Sequence, residues 1–308
     1  MSGARPPESC CMSHPLPKTA LVALATAVML TATAGAALAQ GRTDGARPMG
    51  LAGVFVANAS GNGALYHNPA GVGTALMYAF EGQYLYEPGM NTFNASVVDS
   101  KINPKLAMGF GYSYEDSTGD TYNLKGHDFR LALAHQLVPS RVVVGLGGRY
   151  LLYDVADERV LEGFTLDGGV VVKATDGLFI GLSGNNLIDV CDANDNCLDT
   201  VAPRTVGAGL AFGSTFGFQL VGEARSVLTD VENPTWEYAG GAEYLAGQIL
   251  ALRGGYRYLS DSDASVIAAG AGFRSNTAGL DFAYEHNLTD NEYRFSVALQ
   301  LYVMSDGQ

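Results

Sequence analysis

A repeating alternation of apolar with small or polar side chains, from residue 75 almost to the C-terminus, constrains the fold of this chain more than any other feature. Tyr78 and Phe80 alternate in this way in one stretch, and Met108, Phe110 and Tyr112 do so in the next. A period of two places such residues on one side of a β-strand. The chain is therefore predicted to consist mainly of strands that each have one apolar face.

Counting the alternations gives fourteen predicted strands. Their centres lie near Phe80, Ala95, Phe110, Leu133, Leu146, Val170, Ile180, Leu210, Leu220, Tyr238, Leu252, Ala269, Phe282 and Val297. Each strand has about eleven residues, which is the length that crosses a bilayer when the strand is tilted. The fold class is predicted as all-β, a 14-stranded antiparallel transmembrane β-barrel with a short N-terminal helical hatch (plug).

The connections between the predicted strands alternate in length. Short turns are expected at 139–140, 175–176, 214–215, 246–247 and Asn276, and longer acidic loops at 115–122, 154–162, 189–204, 228–234 and 260–264. This asymmetry is typical of an outer-membrane barrel. A soluble β-sandwich would also alternate, but it has no reason to place aromatic residues at the ends of exposed faces. Such residues occur here at Tyr114, Trp236, Tyr238, Tyr256 and Tyr258.

The N-terminus has the pattern of an export signal. Lys18 precedes an apolar stretch at 20–30, and Ala37-Leu38-Ala39 forms an A-x-A site, so residues 1–39 are predicted to be a signal peptide cleaved before Gln40. Met12 is an alternative start of the protein. The alternative interpretation of this segment is an uncleaved membrane anchor. An exported protein without membrane helices enters a membrane only as a closed barrel. This predicts the outer membrane of a Gram-negative bacterium, with a hatch at 40–74, the barrel at 75–304 and a tail at 305–308.

Residues 40–74 lack the alternation. Small residues suggest a short helix there, and the chain is expected to turn at Asn68 because Pro69 fixes its own φ and disfavours helix before it. The residues concerned are Gly45, Arg47, Gly50, Tyr66, Asn68, Pro69, Ala70 and Gly71. Together they resemble the N-terminal hatch of the FadL superfamily, whose plug ends in an Asn-Pro-Ala motif. The resemblance implies a fourteen-stranded outer-membrane barrel that passes small hydrophobic molecules.

The short chain is closer to the PorV/PorQ-like branch of that superfamily than to its fatty-acid transporters, which are longer. That resemblance implies an accessory barrel that binds, shuttles or anchors an exported protein. A structural outer-membrane protein without cargo is the third alternative. An apolar passage through the lumen would favour transport, whereas a lumen sealed by ion pairs and the plug would favour docking.

The inward face of the predicted barrel combines glycines with charges of both signs. The predicted lumen charge network comprises Arg130, Arg149, Glu223, Arg225, Glu243, Arg253, Arg257, Asp281, Glu285 and Arg294. Buried charges have to be paired. The network is therefore interpreted as structural ion pairs that fill the barrel, with a selective polar pore as the alternative.

One acidic loop carries two further predictions. Cys191 and Cys197 fit a disulfide in an oxidising compartment. Carboxylate and amide oxygens at Asp192, Asn194, Asn196 and Asp199 could hold Ca²⁺, and a solvated, disulfide-closed surface loop is the alternative.

The composition limits the remaining function classes. The formal net charge of −13 argues against a nucleic-acid partner. The expected partners are outer-membrane lipid and lipopolysaccharide, together with a hydrophobic small molecule or an exported protein. No H-E-x-x-H or G-x-S-x-G motif occurs, so neither an enzyme nor a cofactor is predicted.

Overall fold

The computed structural model describes residues 45–117, 123–156, 158–190, 202–228 and 234–304, without the side chains of residues 160 and 304. The predicted signal peptide, the first residues of the predicted hatch (40–44) and the tail at 305–308 lie outside the described residues. The predicted disulfide of Cys191 and Cys197 and the predicted Ca²⁺ ligands Asp192, Asn194, Asn196 and Asp199 also lie outside them. These assignments stay predictions.

Fourteen strands close into one antiparallel barrel, in which each strand pairs with its neighbours in the chain and β1 pairs with β14. The strands are β1 Met77–Glu87, β2 Met90–Asp99, β3 Leu106–Ser117, β4 Leu124–Val138, β5 Val142–Val155, β6 Glu158–Thr175, β7 Leu178–Asn185, β8 Thr205–Gly213, β9 Phe218–Val227, β10 Thr235–Ala246, β11 Leu250–Leu259, β12 Ala264–Arg274, β13 Ala278–Asn287 and β14 Tyr293–Met304. Each predicted centre lies within its strand. The predicted fold class, an all-β barrel of fourteen strands, is confirmed.

The two ends of the barrel differ in their connections. The turn end carries the connections 139–141, 176–177, 214–217, 247–249 and 275–277, and the loop end carries 88–89, 260–263 and 288–292. The asymmetry is not strict, because the two-residue turn 88–89 lies at the loop end and the six-residue connection 100–105 lies at the turn end.

The predicted loop at 154–162 is wrong, because β5 and β6 continue through most of it. Asp154 pairs with Arg159 and Val155 pairs with Glu158 in the antiparallel ladder. The side chains of Asp154 and Arg159 also form an ion pair of 2.5 Å. Opposite charges facing each other across two strands favour pairing, and a count of apolar alternations does not detect them.

Burial alternates along the strands with the apolar residues outside. Phe80 is 47% exposed whereas the adjacent Glu81 is 4% exposed. This arrangement is the reverse of a soluble protein and is the pattern of a barrel that contacts lipid. Aromatic side chains meet near the loop end, where Tyr86 stacks on Phe295 and Trp236 stacks on Tyr238.

No helix among the described residues has both the length and the apolar character needed to cross a membrane.

Residues 45–73, called the hatch from here on, lie buried inside the barrel, and one-turn elements replace the predicted short helix. These are α1 Ala46–Met49, α2 Ala64–His67 and a 3₁₀ helix Pro69–Gly73. The largest apolar cluster joins hatch residues such as Phe55 and Leu65 to wall residues such as Ala132 and Val143. The core of this protein is therefore the contact between the hatch and the inner wall.

Candidate functional site

The hatch follows the inner wall around the barrel. α1 contacts β12, β13 and β14, and the 3₁₀ helix contacts β3, β4, β5 and β6. Between them, Leu51 lies against Gly241 and Gly255, and Val56 lies against Gly181 and Gly209. Because these contacts reach opposite walls, the hatch occupies the lumen at this level.

Three pairs of directly opposed glycines line the wall where the hatch backbone touches it. The pairs are Gly145 with Gly169, Gly181 with Gly209, and Gly241 with Gly255. A β-carbon at 145 would overlap the Ala70 backbone nitrogen, and one at 255 would lie 2.6 Å from the carbonyl carbon of Leu51. The wall is glycine at these points because a larger residue would displace the hatch.

Asn68 fixes the corner between α2 and the 3₁₀ helix. Its Oδ1 accepts a hydrogen bond from Ala70 N at 3.1 Å. Its Nδ2 donates to the carbonyl oxygens of Val56 at 2.9 Å, Val170 at 3.3 Å and Leu182 at 3.2 Å. One buried amide therefore joins two segments of the hatch to β6 and β7. Pro69 takes the first position of the 3₁₀ helix, where its missing N–H costs no hydrogen bond.

The remaining residues of the hatch motif lie beside it. Gly45 caps α1, and Gly50, at the end of that helix, lies close to Gly270 and Arg253 of the wall. Gly71 faces Ala59 so closely that a β-carbon would lie 2.5 Å from the Ala59 Cβ. The Arg130 guanidinium lies 4.9 Å from the centre of the Tyr66 ring. Burial raises the pKa of the Tyr66 phenol, so this side chain stays neutral.

Arg47 connects the hatch to a chain of charges on the wall. Its Nε and terminal nitrogen donate to the two carboxylate oxygens of Glu243 at 3.0 and 2.9 Å. Glu243 also accepts from Arg253 at 2.5 Å, and Arg253 donates to Asp281 at 2.6 Å. Arg274 completes the chain by an ion pair with Asp281 at 3.1 Å. Charges on the inner wall thus alternate in sign along this chain, which involves four strands, β10 to β13.

Two further wall residues hold the hatch backbone. Glu223 Oε2 accepts hydrogen bonds from Phe55 N at 2.9 Å and Val56 N at 3.0 Å, and its other oxygen accepts from Arg225 at 2.6 Å. Arg257 donates to Ala52 O at 3.0 Å. The wall therefore supplies both an acceptor and a donor to the hatch backbone.

The other members of the network pair among themselves. Arg130 and Arg149 both form ion pairs with Asp128, at 2.7 and 2.8 Å. Arg257 donates to Glu285 at 3.3 Å, and Arg294 Nε donates to the same carboxylate at 3.1 Å. All ten residues of the predicted lumen network thus face inward in ion pairs.

Several residues that hold the hatch were missed by sequence reasoning. Gly169, Gly181 and Gly255 contact it, and Asn62 donates to Ser96 Oγ at 2.9 Å. The available signal was the occurrence of glycine at inward positions of adjacent strands, which indicates close approach of another backbone.

Solved structures with this architecture identify the fold. The chain is similar to the CymD monoaromatic hydrocarbon channel, with a TM-score of 0.68 and 14% identity over 86% of this chain and 99% of that one. It is similar to the Ralstonia pickettii toluene transporter TbuX, with a TM-score of 0.66 and 12% identity over 85% of this chain and 98% of that one. A Pseudomonas aeruginosa FadL homologue has a TM-score of 0.58 and 10% identity over 84% and 98% of the two chains. The chain has the same barrel fold as these proteins.

No protein-family model matches the sequence, and no curated protein matches it either. Two of the solved structures named above are a hydrocarbon channel and a toluene transporter.

Proposed function

We propose that this protein is an outer-membrane channel that passes small hydrophobic molecules after removal of its signal peptide. The observation that carries the proposal is a FadL-type barrel whose lumen is occupied by a hatch. A closed barrel with an apolar exterior suits a bilayer. A hatch inside it suits a channel that must stay shut to ions and water.

Passage through this lumen requires part of the hatch to leave the wall. Hydrogen bonds, ion pairs and close packing against glycines hold it to the wall. Such contacts can break and re-form one by one, so a ligand that enters from the loop end could displace part of the hatch.

The pairing of the lumen charges supports a neutral substrate. Within the described wall, each arginine of the network lies beside a carboxylate, as Arg149 does beside Asp128 and Arg294 beside Glu285. An anionic substrate would have to displace a carboxylate to reach any of them. An uncharged molecule meets no such competition.

The second candidate is an accessory barrel that binds, shuttles or anchors an exported protein. The observation that favours it is the occupied lumen, because the plug and the ion pairs fill the barrel at the level of the hatch. In that function the loop end would be the docking surface for the exported protein, and the hatch would only fill the interior of the barrel.

Native mass spectrometry of the barrel, extracted from its own outer membrane in mild detergent, tests the proposal. A reproducible apolar adduct of small-molecule mass is the expected result. A co-purified protein chain would favour the accessory barrel. An empty barrel would contradict both and would leave a structural protein.

A further inference from the structure

Apart from Arg274, which pairs with Asp281, the cations at the turn end lie on one side of the barrel in the described part of the chain. Lys101 and Lys105 lie in the connection between β2 and β3, Arg141 lies between β4 and β5, and Lys173 lies near the end of β6. These four residues, called the basic rim from here on, contrast with a chain that has 18 basic and 31 acidic residues. The basic rim is therefore a positively charged region on a protein whose net charge is negative.

The backbone of the basic rim is fixed by hydrogen bonds. Asp99 Oδ1 accepts from the backbone N–H groups of Lys101 and Ile102, both at 3.0 Å. The carbonyl oxygen of Lys105 lies 2.6 Å from His135 Nδ1 on β4. The N–H of Lys173 donates to the carbonyl oxygen of Arg141 at 2.7 Å. The cations are thus held on an ordered edge and not on independent loops.

Few carboxylates compete for the basic rim. Asp176 forms an ion pair with Lys173 at 3.1 Å, and Asp99 is occupied by the backbone N–H groups of its own loop. Lys105 and Arg141 are exposed and form no ion pair with any carboxylate in the described part of the chain. Their charge is available to an external anion.

An exposed apolar side chain lies among these cations. Ile102 is 83% exposed, between Lys101 and Lys105. The apolar exterior of the barrel reaches the same level, since Leu106 on β3 is 41% exposed and Leu137 on β4 is 58% exposed. An apolar residue beside cations at the edge of an apolar surface suits the boundary between acyl chains and headgroups.

The opposite side of the turn end provides an internal contrast. The turns 214–217, 247–249 and 275–277 contain no charged residue. They nevertheless expose Phe216 by 60% and Ile249 by 52%. Both sides therefore offer apolar side chains to the membrane surface. Among the described residues, however, cations without an ion pair, Lys105 and Arg141, occur at this end only on the side between β2 and β6.

We propose that the basic rim binds the headgroups of anionic phospholipids in the leaflet at the turn end, with Ile102 inserted among the acyl chains. Lysine and arginine near an anionic membrane surface are attracted to it individually, and adjacent cations add to the attraction. The rim orients one side of the barrel towards anionic lipid, whatever molecule passes through the lumen.

The test measures lipid preference of the full barrel in nanodiscs made of equal parts phosphatidylcholine and phosphatidylglycerol. Native mass spectrometry gives the ratio of the two lipids that remain bound. The variant K105Q/R141Q is expected to lose preference for phosphatidylglycerol by about fivefold for each cation removed. K125Q/R159Q removes the same charge at the loop end and is expected to keep the preference.

An unchanged preference in K105Q/R141Q would overturn the proposal, as would an equal loss in the two variants. Gel mobility without heating reports whether each variant has folded as a barrel, and both altered positions in each variant lie at the barrel ends. Displacement of phosphatidylglycerol by inorganic phosphate, but not by chloride at the same ionic strength, would also overturn it, because the rim would then be a free-phosphate site.

Discussion

The guanidinium of Arg47 in the hatch donates two hydrogen bonds, of 3.0 and 2.9 Å, to the two carboxylate oxygens of Glu243 in β10. The side chain of Glu243 is 6% exposed and that of Arg47 is 15% exposed. Arg47 also donates to Ser60 Oγ at 2.8 Å, and Glu243 also accepts from Arg253. This pair therefore connects the fold of the hatch to the charge network of the wall.

Replacing Glu243 by glutamine is expected to loosen the hatch. The substitution keeps the size of the side chain but leaves Arg47 and Arg253 without their shared negative charge. Breaking a buried ion pair destabilises a protein by about 3–5 kcal/mol. Here the destabilised contact is the one between the hatch and the barrel wall. The ion conductance of single barrels in a planar bilayer should rise above that of the wild type.

Glu162 provides the matched control. It pairs with Arg159 at 3.0 Å, but its side chain is 53% exposed, and exposed pairs contribute about 0–1 kcal/mol. Glu162→Gln should therefore leave the conductance unchanged. Equal conductance in Glu243→Gln and the wild type would mean that the Arg47 pair does not hold the hatch.

The glycine pairs predict a steric effect. Gly145→Ala would place a β-carbon on the Ala70 backbone, whereas nothing lies within 4 Å of a β-carbon at Gly82. Overpacking typically destabilises by about 1–3 kcal/mol. Limited proteolysis should therefore cut the hatch faster in Gly145→Ala than in Gly82→Ala. Identical cleavage rates would show that the contact at Gly145 is not tight.

The amide of Asn68 predicts an ordered pair of variants. Asn68→Ala removes a donor shared by three carbonyl oxygens and should lower the free energy of unfolding by about 1–3 kcal/mol. Asn68→Asp should lower it further, because a carboxylate would face those oxygens without a proton to donate. The temperature at which the barrel loses its fast gel mobility measures the order. An aspartate variant as stable as the wild type would refute the assigned hydrogen bonds.

The strands could be predicted because one face of each contacts an apolar environment. Phe110 is 47% exposed and Phe282 is also 47% exposed, so a period-two pattern persisted in both strands. Where charges pair across the ladder, as Asp154 and Arg159 do, the pattern failed and a loop was predicted in place of two strands.

The types of contact that hold the hatch could be predicted from the sequence, but the partner residues could not. The resemblance of Asn68 and Pro69 to a family motif indicated a corner, and inward charges indicated pairing. The partner of Arg47 lies 196 positions away in the sequence. Several inward carboxylates were equally suitable from the sequence, and only the register of the closed barrel brings Glu243 to that position.

Uptake of a hydrophobic molecule through a hatch that can be locked tests the central claim most directly. A β-carbon at Gly209 would lie 3.4 Å from the Val56 Cβ, close to the separation of about 3.5–4.5 Å found in disulfides. The variant Val56→Cys/Gly209→Cys, with Cys191 and Cys197 changed to serine, would therefore join the hatch to β8 under oxidising conditions. Radiolabelled toluene serves as the probe in Gram-negative cells that lack a related channel.

The expected result is rapid uptake by cells with the wild-type barrel or with the reduced variant, and uptake at the rate of cells without the barrel when the variant is oxidised. Wild-type uptake no faster than that of cells without the barrel would contradict a channel for small hydrophobic molecules. Equal uptake by the oxidised and reduced variant would contradict passage controlled by the hatch.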